Sequence, residues 1–301
     1  GKVDFLQMYP ISFKEFLYAD DRRMFDYLEG VDSLVPLPEI VMGKVAESYR
    51  RYLVCGGMPA AVTALLEERG TQAVETVQKA ILAAYALDFA KHAPTKDIPR
   101  VAAVWDSIPS QLARENRKFL YKLVKNGARA REYEDALLWL QHAGLIYRVF
   151  CATKPGLPLS AYDDVSAFKI YLCDVGLLRV MARLPVEVLW TESPLYREFK
   201  GAMAENAVLQ TLVSHFEVFP RYWTSEGTAE VDFLLQRGLS LIPVEVKAGN
   251  SVRGKSLGVY VDRFRPEVAV RYSMKNLRRD GGVLNIPLFM ADWTEKLLGL
   301  S

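Results

Sequence analysis

The order of helices and strands in the last third of the chain constrains the fold more than any other sequence feature. Apolar residues recur there first at helical spacing and then in alternation, which is typical of a helix followed by strands. Because these strands are combined with helices, the segment predicts an α/β sandwich around a central mixed sheet. The predicted elements are a helix over 198–215, strands over 218–223, 229–235 and 239–247, a helix over 255–264 and a strand over 268–272.

The preceding part of the chain is mainly helical in pattern. Amphipathic helices over 43–69 and 71–92 are interrupted by Gly56-Gly57-Met58-Pro59, which is typical of a tight turn. Closer to the start, Ser12 and Glu15 are spaced for a capping box and predict the beginning of another helix.

Residues 96–185 have the order of a winged helix. Helical spacing over 98–108, 118–125 and 130–143 is followed by expected strands over 144–151 and 168–174. Three helices and a two-stranded ribbon make up that motif. The fold class is therefore α+β, a helical region and a winged helix followed by an α/β domain with a mixed sheet.

A carboxylate interrupts the apolar stripe of the predicted 198–215 helix. Glu205 lies three residues after Ala202 and four before Leu209, so the three side chains share one face. On that face the carboxylate should point toward the sheet. Because burying an unpaired carboxylate is costly, a cation or a hydrogen-bond donor should lie beside it.

Two neighbouring predicted strands also carry charged residues among apolar ones. Period-two alternation places Asp232 on one face of its strand and Glu245 with Lys247 on one face of the next. Adjacent strands would then bring Asp232 and Glu245 side by side, with Glu205 above them. Like charges so close would raise at least one pKa unless Mg²⁺ neutralised them.

These four residues are the set that metal-dependent phosphodiester cleavage requires. Carboxylates hold Mg²⁺ while an ammonium group lies beside the attacking water and the developing negative charge. The alternative is that Asp232 faces solvent and that Glu245 and Lys247 form an exposed ion pair at the end of a strand, since E-x-K is a common tripeptide.

Basic residues are concentrated in two segments, although the net charge of +2 by itself predicts no polyanion partner. Residues 113–131 carry seven Arg or Lys against one acid, and residues 247–280 carry nine against three. Such local density favours phosphate affinity, and thus DNA, although a solvated surface is the commoner explanation of a charge run. The predicted DNA contacts are Arg114, Arg117, Lys118, Lys122, Lys125, Arg129, Arg131, Arg253 and Lys255.

Residues 249–256 match the phosphate-loop pattern G-x-x-x-x-G-K-[ST] between a predicted strand and helix. The preceding strand ends in Glu245 and Lys247, whereas the strand before such a loop is normally buried and apolar. The next strand ends without an aspartate for Mg²⁺, and only 45 residues remain after Ser256. We therefore interpret the match as a basic helix start and expect no ATP site in this chain.

The composition excludes a membrane span and a disulfide framework. We find no apolar run near the ~18 residues that a span needs. Cys55, Cys151 and Cys173 are odd in number and widely separated, which predicts reduced, buried thiols in a cytoplasmic protein.

Several segments, read in order, resemble a family of prokaryotic AAA-superfamily ATPases, and the resemblance covers essentially the whole chain. The segments are Tyr9-Pro10-Ile11-Ser12-Phe13-Lys14-Glu15-Phe16, Gly56-Gly57-Met58-Pro59, Pro158-Leu159-Ser160-Ala161-Tyr162, residues 168–178, Gly201-Ala202-Met203-Ala204-Glu205-Asn206, Tyr222-Trp223, Glu230-Val231-Asp232-Phe233 and Pro243-Val244-Glu245-Val246-Lys247.

The resemblance implies an upstream ATPase domain, which would carry the ATP site, and a C-terminal domain similar to the PD-(D/E)XK nuclease fold. Carried over to this chain, that pattern assigns Glu205, Asp232 and Glu245 as metal ligands and catalytic residues, and Lys247 as the catalytic lysine. The implied domains are the end of an ATPase core with a connecting helix (1–30), a helical region (31–95), a winged-helix-like domain (96–185) and a nuclease-like domain (186–301).

Two functions follow as hypotheses. The first is the DNA-interacting C-terminal region of an AAA-type ATPase, with a Mg²⁺-dependent endonuclease as its possible activity. The second is a non-catalytic scaffold that docks an ATPase domain or a protein partner, with assembly into an oligomer left open.

Overall fold

The structure is a computed structural model that describes residues 3–4, 6–114, 117–191, 193–225, 227, 229–249 and 255–300. It has a helical N-terminal region followed by an α/β C-terminal region, as the sequence predicts. The helices are α1 Phe13–Asp20, α2 Arg22–Glu29, α3 Glu39–Cys55, α4 Pro59–Leu66, α5 Thr71–His92, α6 Ile98–Leu112, α7 Tyr121–Val124, α8 Ala130–His142, α9 Val175–Met181, α10 Arg197–His215, α11 Lys255–Phe264 and α12 Thr294–Gly299. The strands are β1 Ile146–Ala152, β2 Asp163–Leu172, β3 Arg221–Thr224, β4 Glu230–Arg237, β5 Ser240–Val246, β6 Ala269–Ser273, β7 Arg278–Asp280 and β8 Val283–Pro287.

These strands form one mixed sheet in the order β2-β1-β3-β4-β5-β6-β8-β7. Strand β1 pairs with β2 antiparallel and with β3 parallel, through Cys151 opposite Tyr222. Strands β4 and β5 are antiparallel, whereas β5, β6 and β8 run parallel. The ribbon of the winged-helix-like region is therefore continuous with the sheet of the C-terminal region.

The winged-helix order is present, with one helix shorter than predicted. Helices α6, α7 and α8 precede the β1–β2 ribbon, but α7 covers only Tyr121–Val124 instead of 118–125. The reason is that Lys118 is extended and forms a β-bridge with Lys169, while the backbone N–H of Phe119 donates to the carbonyl of Phe168 at 2.8 Å. Pairing with the ribbon thus replaces the first turn of the helix.

The capping box at α1 is confirmed. The Ser12 hydroxyl accepts the Glu15 backbone N–H at 3.2 Å, and the Glu15 carboxylate accepts the Ser12 N–H at 2.8 Å. Before this helix, residues 3, 4 and 6 belong to neither helix nor strand, and residues 1, 2 and 5 lie outside the described residues.

The turn at Gly56 and Gly57 joins the first helices to α9. The Asp174 carboxylate accepts the Gly57 N–H at 2.6 Å and the Leu177 N–H at 2.9 Å. Gly56 has φ +66°, and a Cβ there would lie 2.2 Å from an Asp174 oxygen, so only glycine fits. Burial of Asp174 raises its pKa to about 6, against the lowering effect of these hydrogen bonds.

One cluster of buried apolar side chains extends from Phe13 in α1 to Leu298 in α12. Cys55, Cys151 and Cys173 are buried free thiols, as predicted. In the part of the chain that the structure describes, no helix is long and apolar enough to cross a membrane.

Candidate functional site

Glu205 lies in α10 with its side chain buried against the sheet, as its apolar stripe predicts. The residue is 3% exposed. Its Oε2 accepts a hydrogen bond from the Tyr171 hydroxyl at 3.1 Å, and its Oε1 is paired with the Arg117 guanidinium. The expected cation beside this carboxylate is therefore present, and it comes from a residue that the sequence assigned to DNA.

Arg117 reaches Glu205 because α10 leaves room for its guanidinium. A Cβ at Gly201, one turn before Glu205, would lie 3.0 Å from an Arg117 terminal nitrogen. Burial lowers the pKa of Arg117, but the nearby charges of Glu205, Tyr171 and Asp232 outweigh burial and raise it overall. Arg117 is thus held charged inside the protein.

Asp232 is buried on β4 and has donors of its own. Its carboxylate accepts the backbone N–H of Val246 at 2.8 Å. Burial and the neighbouring charge of Glu205 raise the pKa of Asp232 to about 7, while Lys169, the Val246 N–H and Arg117 act in the opposite direction. Burial thus favours the protonated form of the Asp232 carboxyl group.

Lys169, which sequence reasoning did not select, is fully buried on β2 and pairs with Glu230 at the start of β4. Its ammonium lies 4.9 Å from the centre of the Tyr222 ring. Burial lowers the pKa of Lys169, but Glu230, Glu205 and Asp232 raise it overall. The sequence did contain a signal for Lys169. In this strand Phe168, Ile170 and Leu172 form an apolar face, and Lys169 and Tyr171 alternate with them on the opposite face.

We call this group of side chains the acid centre. It contains three carboxyl groups and two cations, with the Tyr171 hydroxyl as a further donor, so its charges balance when one carboxyl group is protonated. Asp232, with its raised pKa, is the group that takes this proton. The members of the acid centre are Arg117, Lys169, Tyr171, Glu205, Glu230 and Asp232.

Glu245 is also buried, at 2% exposure, but it is neutralised separately. Arg271 on the parallel neighbour β6 donates to its Oε2 at 2.8 Å, and the Lys247 ammonium lies 3.2 Å from its Oε1. The alternative reading, with Asp232 in solvent and Glu245 in an exposed pair, is therefore wrong for both carboxylates. Only Lys247 is partly exposed.

The carboxylates as arranged do not form a metal-binding set. Each of Glu205, Asp232 and Glu245 has its own donors within the protein. Among the residues that the structure describes, no three acidic, histidine or cysteine side chains are grouped to hold a metal ion. The assignment of Mg²⁺ to these residues stays a prediction, and no chemical step is derived through it.

The first basic segment is almost entirely on the surface, and we call its exposed members the basic surface. Arg117 is the exception, since it belongs to the acid centre. In the second segment Lys255 is exposed at the start of α11, while Arg253 lies outside the described residues, as do 250–254 of the phosphate-loop match. The basic surface consists of Arg114, Lys118, Lys122, Lys125, Arg129 and Arg131.

Helix α8, which follows the basic surface, has a mixed charge. Its polar positions include Glu132, Glu134 and Asp135, and Glu134 is paired with the buried Arg148 at 2.7 Å. A cavity of about 470 Å³ lies between α6 and the turn before α8, and its charged lining is Arg100, Lys125 and Glu132. The positive charge is therefore concentrated around α7 and the first turn of α8.

The fold and the site define an α+β protein whose winged-helix-like and α/β regions share one sheet and one buried charge network. Residues 46–187 match the family described as Domain of unknown function (DUF8612), and residues 200–289 match Domain of unknown function (DUF4143). Each match covers less than half of the chain. No curated protein and no solved structure shows a significant match.

The acid centre lies across these two matched regions. Its cations and its tyrosine, which are Arg117, Lys169 and Tyr171, come from the first region. Its carboxyl groups come from the second region. Opposite charges on the two regions are therefore brought together inside the protein, which makes the acid centre an electrostatic junction between them.

Proposed function

We propose that this chain is a DNA-contacting, non-catalytic module of an AAA-type ATPase. In this proposal the winged-helix-like region contacts the phosphate backbone, and the α/β region is the scaffold that holds it. The observation that carries the proposal is the division of charge: six cations of residues 113–131 are exposed, whereas Glu205 and Glu245 are paired with cations within the protein and Asp232 accepts a backbone N–H.

Contact with phosphates rather than with bases fits the charges of α8. Base reading by a winged helix depends on side chains of the helix that enters the major groove. Here the acidic side chains of Glu132 and Asp135 are exposed on α8 and would repel DNA along much of its length. Cations that contact the backbone position a protein without reading the sequence.

A scaffold role for the α/β region fits the way in which Glu205 and Glu245 are already paired within the protein. Glu205 and Glu245 are each paired with two side chains, and two of these partners are partly buried guanidinium groups that cannot lose their charge at neutral pH. Moving them away would leave charges unpaired in the interior, which costs several kcal/mol. Of these pairs, Arg117 with Glu205 also joins the two matched regions.

The resemblance to AAA-superfamily ATPases supports the further proposal that an ATPase domain is the partner of this module. ATP would then be bound by that domain and not by the chain described here. An oligomer would place several basic surfaces around one DNA molecule, and each additional surface would increase the avidity.

Fluorescence anisotropy with a labelled duplex of random sequence tests the proposal. The chain is expected to bind at low salt, with log K falling by about 0.9 for each phosphate contacted per unit of log salt concentration. Binding should change little between duplexes of different sequence. The absence of binding at low salt, or a strong preference for one sequence, would contradict the proposal.

A Mg²⁺-dependent endonuclease is the second candidate. It is favoured by the burial of Glu205 on α10, Asp232 on β4 and Glu245 on β5. Lys247 is the residue directly after the end of β5. The test is incubation of supercoiled plasmid with the chain and Mg²⁺ or Mn²⁺. Metal-dependent nicking that is lost in both Glu245→Gln and Lys247→Met, but kept in Lys255→Met, would support this candidate and remove the non-catalytic proposal.

A further inference from the structure

A pocket of about 380 Å³ lies apart from both the acid centre and the basic surface. Its walls are α3 and α10, and its floor is formed by Ala248, Met274 and Leu288, which follow β5, β6 and β8. These three strands are parallel, so the floor is the carboxyl end of a parallel sheet. Ligands of α/β proteins bind in the crevice outside this edge.

The interior of the pocket is apolar and adaptable. Met42, Met203 and Met274 reach it from three different elements, and Leu53 and Leu189 complete much of the wall. Methionine fills irregular space and makes favourable contacts between its sulfur and aromatic rings. The pocket is also within the size range of small-molecule sites in proteins. These features fit a planar apolar group.

Trp190 lies at the mouth of the pocket with an exposed ring. The residue is 43% exposed, and its indole N–H donates to the Glu47 carboxylate at 3.1 Å. Arg50 pairs with the same carboxylate at 3.0 Å. Because the polar edge of the indole is already bonded, its apolar face can stack on a ligand.

Gly43 lines the pocket and is exposed. It lies within α3, where glycine costs about 1 kcal/mol relative to alanine, yet a Cβ at this position would meet nothing within 4 Å. Packing in the protein therefore does not require this glycine. A large side chain at this position would occupy open space beside the pocket that Gly43 lines.

The charged side chains that line the pocket, among the described residues, are Arg50 and Lys200. Both are cationic. Lys200 also donates to the carbonyl of Thr191, which holds its ammonium at the rim. Arg50 is paired with Glu47, but its other N–H groups and the Lys200 ammonium can donate to a ligand that has one anionic group and an apolar body.

We infer that this pocket is a binding site for a small organic anion with a planar aromatic body, such as an aromatic carboxylate or sulfonate. The apolar interior binds the ring, Trp190 stacks on it, and Arg50 with Lys200 binds the anionic group. The site is independent of the proposed contact with DNA.

The test uses the full chain and 8-anilinonaphthalene-1-sulfonate, an aromatic sulfonate that fluoresces when it leaves water. We expect saturable binding of one molecule per chain. Gly43→Leu should weaken the binding by about tenfold or more, which corresponds to about 1.4 kcal/mol. Gly258→Leu is the matched control: this helical glycine of α11 also has open space around its Cβ position and lies outside the pocket, so its binding should equal that of the wild type.

A second dye tests whether the two cations contribute to binding. N-Phenyl-1-naphthylamine has the same rings without the sulfonate and should bind more weakly than the sulfonate. Arg50→Gln with Lys200→Gln should remove this difference. Thermal unfolding of each variant shows that it is folded, because dye binding by partly unfolded protein would accompany a lost transition.

Three results would overturn the inference. They are the absence of saturable binding, binding that Gly43→Leu and Gly258→Leu affect equally, and equal affinity for the charged and neutral dyes. The double glutamine variant keeps the test decisive if Gly43→Leu does not fold.

Discussion

Arg117 and Lys118 are neighbours in the sequence, but their side chains lie in different electrostatic environments. Lys118 is exposed on the basic surface, whereas the guanidinium of Arg117 is buried against Glu205 in the acid centre. Both residues are cationic and lie in the same basic segment, so neither the sign of the charge nor the local charge density explains the difference. It is set by a carboxylate 88 residues further along the chain.

The acid centre and the basic surface also differ in how their charges are balanced. The charges of the acid centre are buried, so removing one partner of a pair would leave the other charge uncompensated in the interior. On the basic surface water screens the charges, so the six exposed cations do not each require a buried partner. The first arrangement is suited to holding two regions together, and the second to binding an external polyanion.

The largest expected effect comes from Arg117→Ala. This change leaves Glu205 buried without its cation, and breaking a buried pair in this way costs about 3–5 kcal/mol of unfolding free energy. Lys118→Ala, the neighbouring control, should cost less than about 0.5 kcal/mol. Urea unfolding measures both, and equal losses would contradict the contrast between the two residues.

Replacing both partners sharpens the same comparison. Arg117→Met combined with Glu205→Met removes both buried charges, and such replacements are often close to neutral. Most of the stability lost in Arg117→Ala should therefore return in the double variant. A double variant as unstable as the single one would mean that the pair is not the source of the loss.

The next effect is the pH dependence that Asp232 contributes. Its pKa is raised to about 7 in the folded protein, so between about pH 4 and 7 the folded chain binds more protons than the unfolded chain. The unfolding free energy must then fall as the pH rises through this window and become constant above it. The loss is on the order of a few kcal/mol.

Asp232→Asn should flatten this dependence, because the amide imitates the protonated carboxyl group and still accepts the Val246 N–H. Asp174, whose pKa is raised to about 6, acts in the same direction and is unchanged in the variant, so the difference between the two proteins isolates Asp232. The measurement is chemical unfolding from pH 4 to 8. Parallel curves would contradict the prediction.

The smallest expected effect is on DNA binding. Exchanging Lys122, Lys125 and Arg129 for glutamine should reduce the salt dependence of log K by about 3, since each phosphate contact contributes about 0.9. The control exchanges Arg23, Lys44 and Lys91, three exposed cations of the helical region, and keeps the net charge of the two variants equal. Equal losses in the two variants would mean that only total charge matters and that the basic surface has no special role.

The sequence predicted a large part of the fold correctly because much of it depends on local patterns. The α11 boundaries, the α1 capping box and the winged-helix order follow from spacing and from cap residues. Strands β7 and β8 were not predicted. β7 is the exposed run Arg278-Arg279-Asp280, which has no strand pattern and becomes a strand only by pairing with β8.

The candidate site was predicted in part. The burial of Glu205 followed from its place in an apolar stripe, and the need for a partner followed from the cost of burying a charge. The identity of the partner could not follow, since Arg117 lies in a segment with six other cations. Lys169 and Glu230 were missed because their contact joins two strands that are 61 residues apart in the sequence.

The sequence by itself determined which residues form helices and strands and which carboxylate had to be buried, because both depend on spacings of a few residues. Only the tertiary structure decided what the charges do. It directed Arg117 and Lys169 into the acid centre and left the other six cations of residues 113–131 on the surface. The reason is that a buried charge is neutralised by whichever opposite charge the fold brings within a few ångströms. It also raised the pKa of Asp232 to about 7, since that value depends on burial and on Glu205 and not on neighbours in the chain.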